Sequence, residues 1–236
     1  MKILAVSDEE SPALWDYFVP GRLDGYDLIL ACGDLKAEYL SFLVTMSHAR
    51  LLYVRGNHDG AYLQNPPDGC ECIDDQFVVY NGVRILGLGG CRKYRKGPFQ
   101  YTERQMRWRI AKLWPALIRC GGVDIVIAHA APQGLGDRDD PAHLGFAAFR
   151  KLIEKWRPAL FLHGHVHRRY DHTMPREHIY ESTRIINVSD RCTLDFPEPS
   201  DANPKDHNRL IWKTHHREKS VGWDLELTPQ DFFYQE

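Results

Sequence analysis

Five short apolar runs, each ending in residues drawn from Asp, Asn, His and Gly, constrain this 236-residue chain more than any other feature. KILAVS (2–7) leads into DEESP, and DLILACGD (27–34), RLLYVRGNHD (50–59), VDIVIAHAAP (123–132) and ALFLHGHVH (159–167) repeat the plan. Continuous apolar runs of this length read as strands buried on both faces, as in parallel sheets covered by helices. Helical patterns lie between them. TERQMRWRIAKLW (102–114) offers Thr102 as an N-cap and sets Met106, Ile110, Leu113 and Trp114 on a core stripe. GFAAFRKLIEKW (145–156) aligns Phe146, Phe149, Leu152, Ile153 and Trp156, with Pro158 as a stop. QFVVYNGVRILGLGG (76–90) predicts a hairpin turning at Asn81-Gly82, and RIINVS (184–189) a further strand. The polar, proline-bearing stretch 195–209 reads as a long loop.

Strands alternating with helices imply an α/β layered domain. Ligands bind such folds beyond the carboxyl ends of the strands, so the five polar endings are expected to gather on one edge. No linker interrupts the pattern, so residues 1–236 are expected to form one domain, with the packing of 195–236 left open.

Those endings supply Asp8, Glu10, Asp34, Asn57, His58, His129, His165 and His167. Any one of them is ordinary turn chemistry, since Gly, Asn and Asp favour turns. All five in order are not. Carboxylate, amide oxygen and imidazole together are donors for Mn, Fe or Zn rather than for a thiolate site. His165 and His167 project to the same side if the segment is extended, and Gly164 allows close backbone approach. Glu9 reads as a neighbour only.

The blocks GD (33–34), GNHD (56–59), His129 and GHVH (164–167), preceded by DEE (8–10), resemble the calcineurin-like metallophosphoesterase family over about residues 1 to 190. The resemblance implies a four-layer α/β/β/α sandwich of two mixed β-sheets flanked by helices, and a hydrolase using two divalent metal ions, Mn favoured with Fe or Zn possible. It implies that Asp34 bridges the metals. Asp8, the third residue of the first block and His167 would hold one, Asn57, His129 and His165 the other. His58 would sit beside the substrate as a proton donor, with Asp59 either orienting it or finishing the turn. The family pattern opens D-x-H, whereas this chain reads Asp8-Glu9-Glu10, so Glu10 is expected to ligate in place of histidine.

The step after Asp34 continues Leu35-Lys36-Ala37-Glu38 and lacks the arginine-bearing motif of the protein-phosphatase branch, which favours a resemblance to the small bacterial-type phosphodiesterases. The expected activity is hydrolysis of a small phosphoester, a diester by preference. The alternative is a metal-binding scaffold of the same fold with weak or no turnover. Arg92, Lys93 and Arg95, with Lys96, surround Tyr94 and could draw an anionic substrate in, or simply form a solvated loop. A net charge of −2 leaves no broad basic face, which argues against a nuclease or another nucleic-acid partner. GLGDRDDPAHLG (134–145), with Asp137 and His143, reads as a surface loop, and HHRE (215–218) as surface. No apolar run reaches the roughly 18 residues of a membrane span, and the early charges do not suit a secretory signal, so a cytoplasmic protein is expected. The six cysteines are then free thiols. Nothing in the sequence sets an oligomeric state.

Overall fold

The computed structural model describes residues 1–167, 175–197 and the backbone strand 209–213. Fourteen strands occur among them in chain order: β1 (Lys2–Ser7), β2 (Leu28–Ala31), β3 (Arg50–Tyr53), β4 (Glu71–Cys72), β5 (Gln76–Tyr80), β6 (Val83–Leu88), β7 (Cys91–Arg92), β8 (Gln100–Tyr101), β9 (Ile125–Ala128), β10 (Leu160–His163), β11 (Glu177–Tyr180), β12 (Thr183–Asn187), β13 (Asp190–Asp195) and β14 (Arg209–Lys213). The α-helices among them are α1 (Ala37–Met46), α2 (Glu103–Arg119) and α3 (Ala147–Trp156).

Two mixed sheets form. The first runs β13-β1-β2-β3-β4, parallel except where β13 pairs antiparallel with β1. The second runs β11-β12-β10-β9-β6-β5-β14, with parallel strands β12, β10, β9 and β6 at its centre and antiparallel ones at both ends. Three apolar clusters mark the three interfaces between four layers. Ile3, Leu30 and Leu52 of the first sheet meet Ile85, Ile127 and Leu162 of the second. The outer face of the first sheet packs Leu4, Ile29 and Leu51 against Tyr39, Leu40 and Leu43 of α1. The outer face of the second packs Leu86, Val126 and Phe161 against Met106 and Leu113 of α2 and Phe149 and Leu152 of α3. This is the α/β/β/α sandwich expected from the sequence, and it explains the unbroken apolar runs: a strand between two layers has no solvent face.

The local expectations hold with three adjustments. Asn81 and Gly82 both take positive φ at the β5–β6 turn, as a type I′ hairpin demands. Thr102 caps α2 through a capping box with Gln105, but the helix runs past the expected end and carries Pro115 to Arg119. Trp114, assigned to the core stripe, is instead 38% exposed, edge-on to Trp156 and under the Lys155 ammonium. The buried face of α2 is set by Met106, Arg109, Ile110, Leu113, Ala116 and Leu117, and Trp114 falls on its flank. α1 has no side-chain cap to announce it, and burial of Tyr39, Leu40 and Leu43 on the first sheet secures it. The expected loop at 195–209 falls almost wholly, and the HHRE surface segment entirely, outside the described residues. No helix among the described residues is long and apolar enough to cross a membrane.

Candidate metal centre

β1, β2 and β3 of the first sheet and β9 and β10 of the second all end at one edge, each followed directly by a polar block. The blocks are sewn to one another by backbone bonds: Asp8 N–H donates to Gly33 O (3.1 Å), and Gly164 N–H to His129 O (3.0 Å). The motif glycines are required by this packing. A Cβ on Gly33 would sit 2.5 Å from Gly56 N, one on Gly56 would sit 2.1 Å from Asp34 Oδ1, and one on Gly164 would sit 1.9 Å from Ser7 Oγ and 2.4 Å from Asp8 Oδ2. No side chain fits at those distances.

One ligand-type atom each from Asp34, His129 and His165 lies within 4.8 Å of the others. His129 is fully buried, and its Nδ1 donates to Cys32 O at 2.8 Å. Its Nε2 is thereby turned towards Asn57 Oδ1 (3.1 Å) and Asp34 Oδ2 (3.2 Å). His165 Nε2 donates to Ala142 O at 2.7 Å, which leaves Nδ1 as its ligand atom. A histidine whose second nitrogen is held by a carbonyl has its tautomer and ring orientation fixed for a metal. Asn57 Nδ2 is buried without a hydrogen-bond partner among the described residues. The charges within the group balance one another. Burial pushes the His129 imidazole down, but the Asp34 carboxylate overrides it and holds the ring up at about 10. Burial raises Asp34, yet His129 and the His58 N–H bring it down to about 2. Burial lowers His165 to about 3, the neutral form a ligand needs. An imidazolium thus supplies the positive charge that a divalent ion would bring. Donor types and fixed tautomers fit such an ion.

Asp8 and His165 face each other across the sheets. The His165 N–H donates to both Asp8 carboxylate oxygens, at 2.9 and 3.0 Å. Both residues sit in tight three-residue turns with positive φ, 66° for Asp8 and 69° for His165. Each turn is closed by a backbone bond, Glu9 N–H to Ser7 O and Val166 N–H to Gly164 O. Such γ-turns are uncommon and strained, and backbone strain of this kind clusters at functional sites. The turn at His165 also corrects an expectation: the segment is not extended, and the two histidines diverge. His165 goes to Ala142, while His167 Nδ1 lies 3.5 Å from Glu9 Oε1. Burial raises the Asp8 carboxyl above its ordinary value, with His129 opposing.

The remaining expected residues divide. His58 is exposed at the tip of its turn, and its N–H is tied to Asp34 Oδ1 at 2.7 Å. The Asp59 carboxylate does not turn to the His58 ring. It accepts from Gly56 N–H (2.7 Å) and Asp34 N–H (2.9 Å) and so clasps the two turns together. Burial and the neighbouring Asp34 raise it to about 7. The Glu10 carboxylate accepts from Lys36 N–H (3.1 Å) and meets the Lys36 ammonium at 3.5 Å. The basic segment flanks the GNHDG turn, since Gly90 N–H donates to Arg55 O and Pro98 lies against Gly60. Arg92 reaches Gly145 O at 3.4 Å, while the Arg95 guanidinium lies over the Tyr94 ring. Lys93 joins the small β7–β8 pair through its backbone N–H.

The loop 134–145 contributes more than a surface connection. Asp137 accepts from Gly134 and Gly145 N–H groups and closes it, Ala142 O orients His165, and the His143 ring stands 5.1 Å from that of His165. Asp140 holds His143 Nδ1 at 2.9 Å. A backbone carbonyl leaves no mark in a sequence. The Asp140-x-x-His143 spacing was the one available signal.

The profile of the calcineurin-like phosphoesterase superfamily domain matches residues 1–192. The chain is 23% identical over 199 residues to a lariat debranching enzyme of Entamoeba histolytica, covering 70% of this chain and 53% of that one. It is also 23% identical over 198 residues to a UPF0046 protein of Caenorhabditis elegans, covering 72% and 64%. The chain therefore spans about half to two thirds of the length of these relatives. Among solved structures, TT1561 of Thermus thermophilus aligns with a TM-score of 0.53 at 17% identity over 80% of this chain and 89% of that one. At such identity the likeness speaks for the fold alone.

Proposed function

This chain belongs to the calcineurin-like phosphoesterase superfamily, and from that premise we propose that it is a metal-dependent phosphoesterase acting on a small phosphoester, a phosphodiester by preference. The observation that carries the reading is the convergence of Asp34, Asn57, His129 and His165 from four strand ends into one buried group. These four would hold one ion, and Asp8 and His167, with Asp34 shared, would hold a second. Two divalent ions there, Mn favoured on an oxygen-rich set with Fe or Zn as alternatives, supply the Lewis acidity that hydrolysis of a phosphoester needs.

The chain's own residues account for the rest. Asp59 fixes the Asp34 and Gly56 backbones, so the shared carboxylate is placed before any ion binds. Asp34 in turn fixes the backbone of His58, whose ring is exposed at the mouth of the site. A histidine so placed donates a proton to the leaving oxygen. Arg92, held between the GNHDG side and the 134–145 loop, offers charge to an anionic substrate.

Mn-dependent hydrolysis of an aryl phosphodiester, run beside the matched monoester, tests the reading. Turnover is expected with the diester, is abolished by a chelator, and falls by about 10²–10⁴ in His58→Ala. Turnover with neither ester, alongside tight Mn binding, would favour the scaffold reading instead. Equal turnover in wild type and His58→Ala would remove His58 from the mechanism.

A further inference from the structure

We propose that Glu9, and not Glu10, is the carboxylate that joins Asp8 and His167 in the metal centre. The inference rests on the metal-dependent reading above and names a ligand which the position of the motif does not. The three-residue turn at Asp8, closed by Glu9 N–H on Ser7 O at 2.7 Å, reverses the chain immediately after β1. It brings the Glu9 side chain to His167, with Oε1 at 3.5 Å from Nδ1. That separation is long for a charge-assisted hydrogen bond, which runs nearer 2.7–2.9 Å. It is the separation expected of two donors sharing one ion: metal–ligand bonds of about 2.0–2.2 Å at tetrahedral angles set ligand atoms roughly 3.4 Å apart.

Glu10 has other work. Its carboxylate accepts the Lys36 N–H where α1 begins and faces the Lys36 ammonium, so its charge is already matched. In a chain that opens DEE instead of D-x-H, the middle residue thus brings its carboxylate to 3.5 Å from the second histidine of GHVH.

The test is Mn titration of the full chain by calorimetry, with Mn EPR counting free ion, for wild type, Glu9→Gln and Glu10→Gln. Both residues are partly exposed and both substitutions are isosteric; metal-free melting curves confirm folding. Glu9→Gln is expected to weaken one of two Mn sites by about tenfold or more, leaving the other intact, and Glu10→Gln to change neither by more than about threefold. Two wild-type sites that survive Glu9→Gln unchanged would overturn the Glu9 assignment alone. Weakening by Glu10→Gln and not by Glu9→Gln would return the role to Glu10. A wild type that binds no Mn, Fe or Zn would overturn the metal-dependent reading and this assignment with it.

Discussion

The two halves of the centre are built differently. The half formed by Asp34, Asn57, His129 and His165 is closed: His129 is fully buried, and its two nitrogens are committed to Cys32 on one side and to Asp34 and Asn57 on the other. The half that Asp8, Glu9 and His167 would form opens to the rim, where the His167 and Glu9 side chains keep 29% and 31% of their exposure while the Asp8 carboxyl is set deeper. The motif is intact in the closed half and departs from the family pattern in the open one. A physical reason connects these facts. In the closed half His129 and Asp34 are also a buried ion pair, and loss of either strands a charge. Glu9 and His167 at the rim stay partly solvated when unpaired, so the loss of either strands no buried charge.

The largest test of this contrast is His129→Ala against His167→Ala, compared by urea unfolding without metal at pH 7. Removing His129 leaves Asp34 buried without its counter-charge and is expected to cost about 3–5 kcal/mol. Removing His167 is expected to cost less than about 1 kcal/mol. Equal losses would break the distinction between the halves. Gly164→Ala attacks the seam, because its Cβ would collide with Ser7 Oγ and Asp8 Oδ2. The expected cost is about 1–3 kcal/mol, with weakened metal binding in both halves. A variant with wild-type melting temperature and Mn affinity would show that the seam can give way.

The closed half also predicts a pH dependence. With His129 held up at about 10, the metal-free ring carries a proton at neutral pH that an ion must displace. Mn affinity should therefore rise as pH increases towards 10, by about tenfold per unit where this one proton is exchanged, with about one proton released per ion at pH 7. Calorimetry in buffers of different ionisation enthalpy measures that release directly. The same ring contributes stability to the metal-free protein below its ordinary value near 6.5, and this contribution is lost as pH rises through about 10. The smallest effect belongs to the periphery. Arg92→Ala should raise KM for an anionic ester less than about tenfold, more at low salt than at high salt, and leave kcat nearly unchanged.

Much of this architecture was legible before any coordinates. The five runs fixed the strands at the centre of both sheets because complete burial demands unbroken apolar sequence, and Asn81-Gly82 fixed the hairpin because few residues accept its dihedrals. The short strands β4, β7, β8 and β11 carry no such signature: two residues are too few to show a period, and β11 has no unbroken apolar run because its residues are exposed or only half-buried. Trp114 was misplaced because helical spacing gives a stripe but not its width.

The residue types at the centre, and the glycines beside them, are properties of the sequence. Only glycine lets Gly56 and Gly164 lie against the Asp34 and Asp8 carboxylates and Gly33 against the Gly56 backbone, and oxygen and imidazole donors would suit divalent ions. Which atom faces which was decided by tertiary structure alone. Ala142 and Cys32 act through carbonyls that every residue possesses, Asp59 turned to two backbone N–H groups instead of the adjacent ring, and after the strained turn at Asp8 the Glu9 carboxylate lies beside His167 and that of Glu10 beside Lys36. A sequence specifies which groups are available. Their directions depend on dihedrals and on partners far away along the chain, and these exist only once the two sheets have closed on each other.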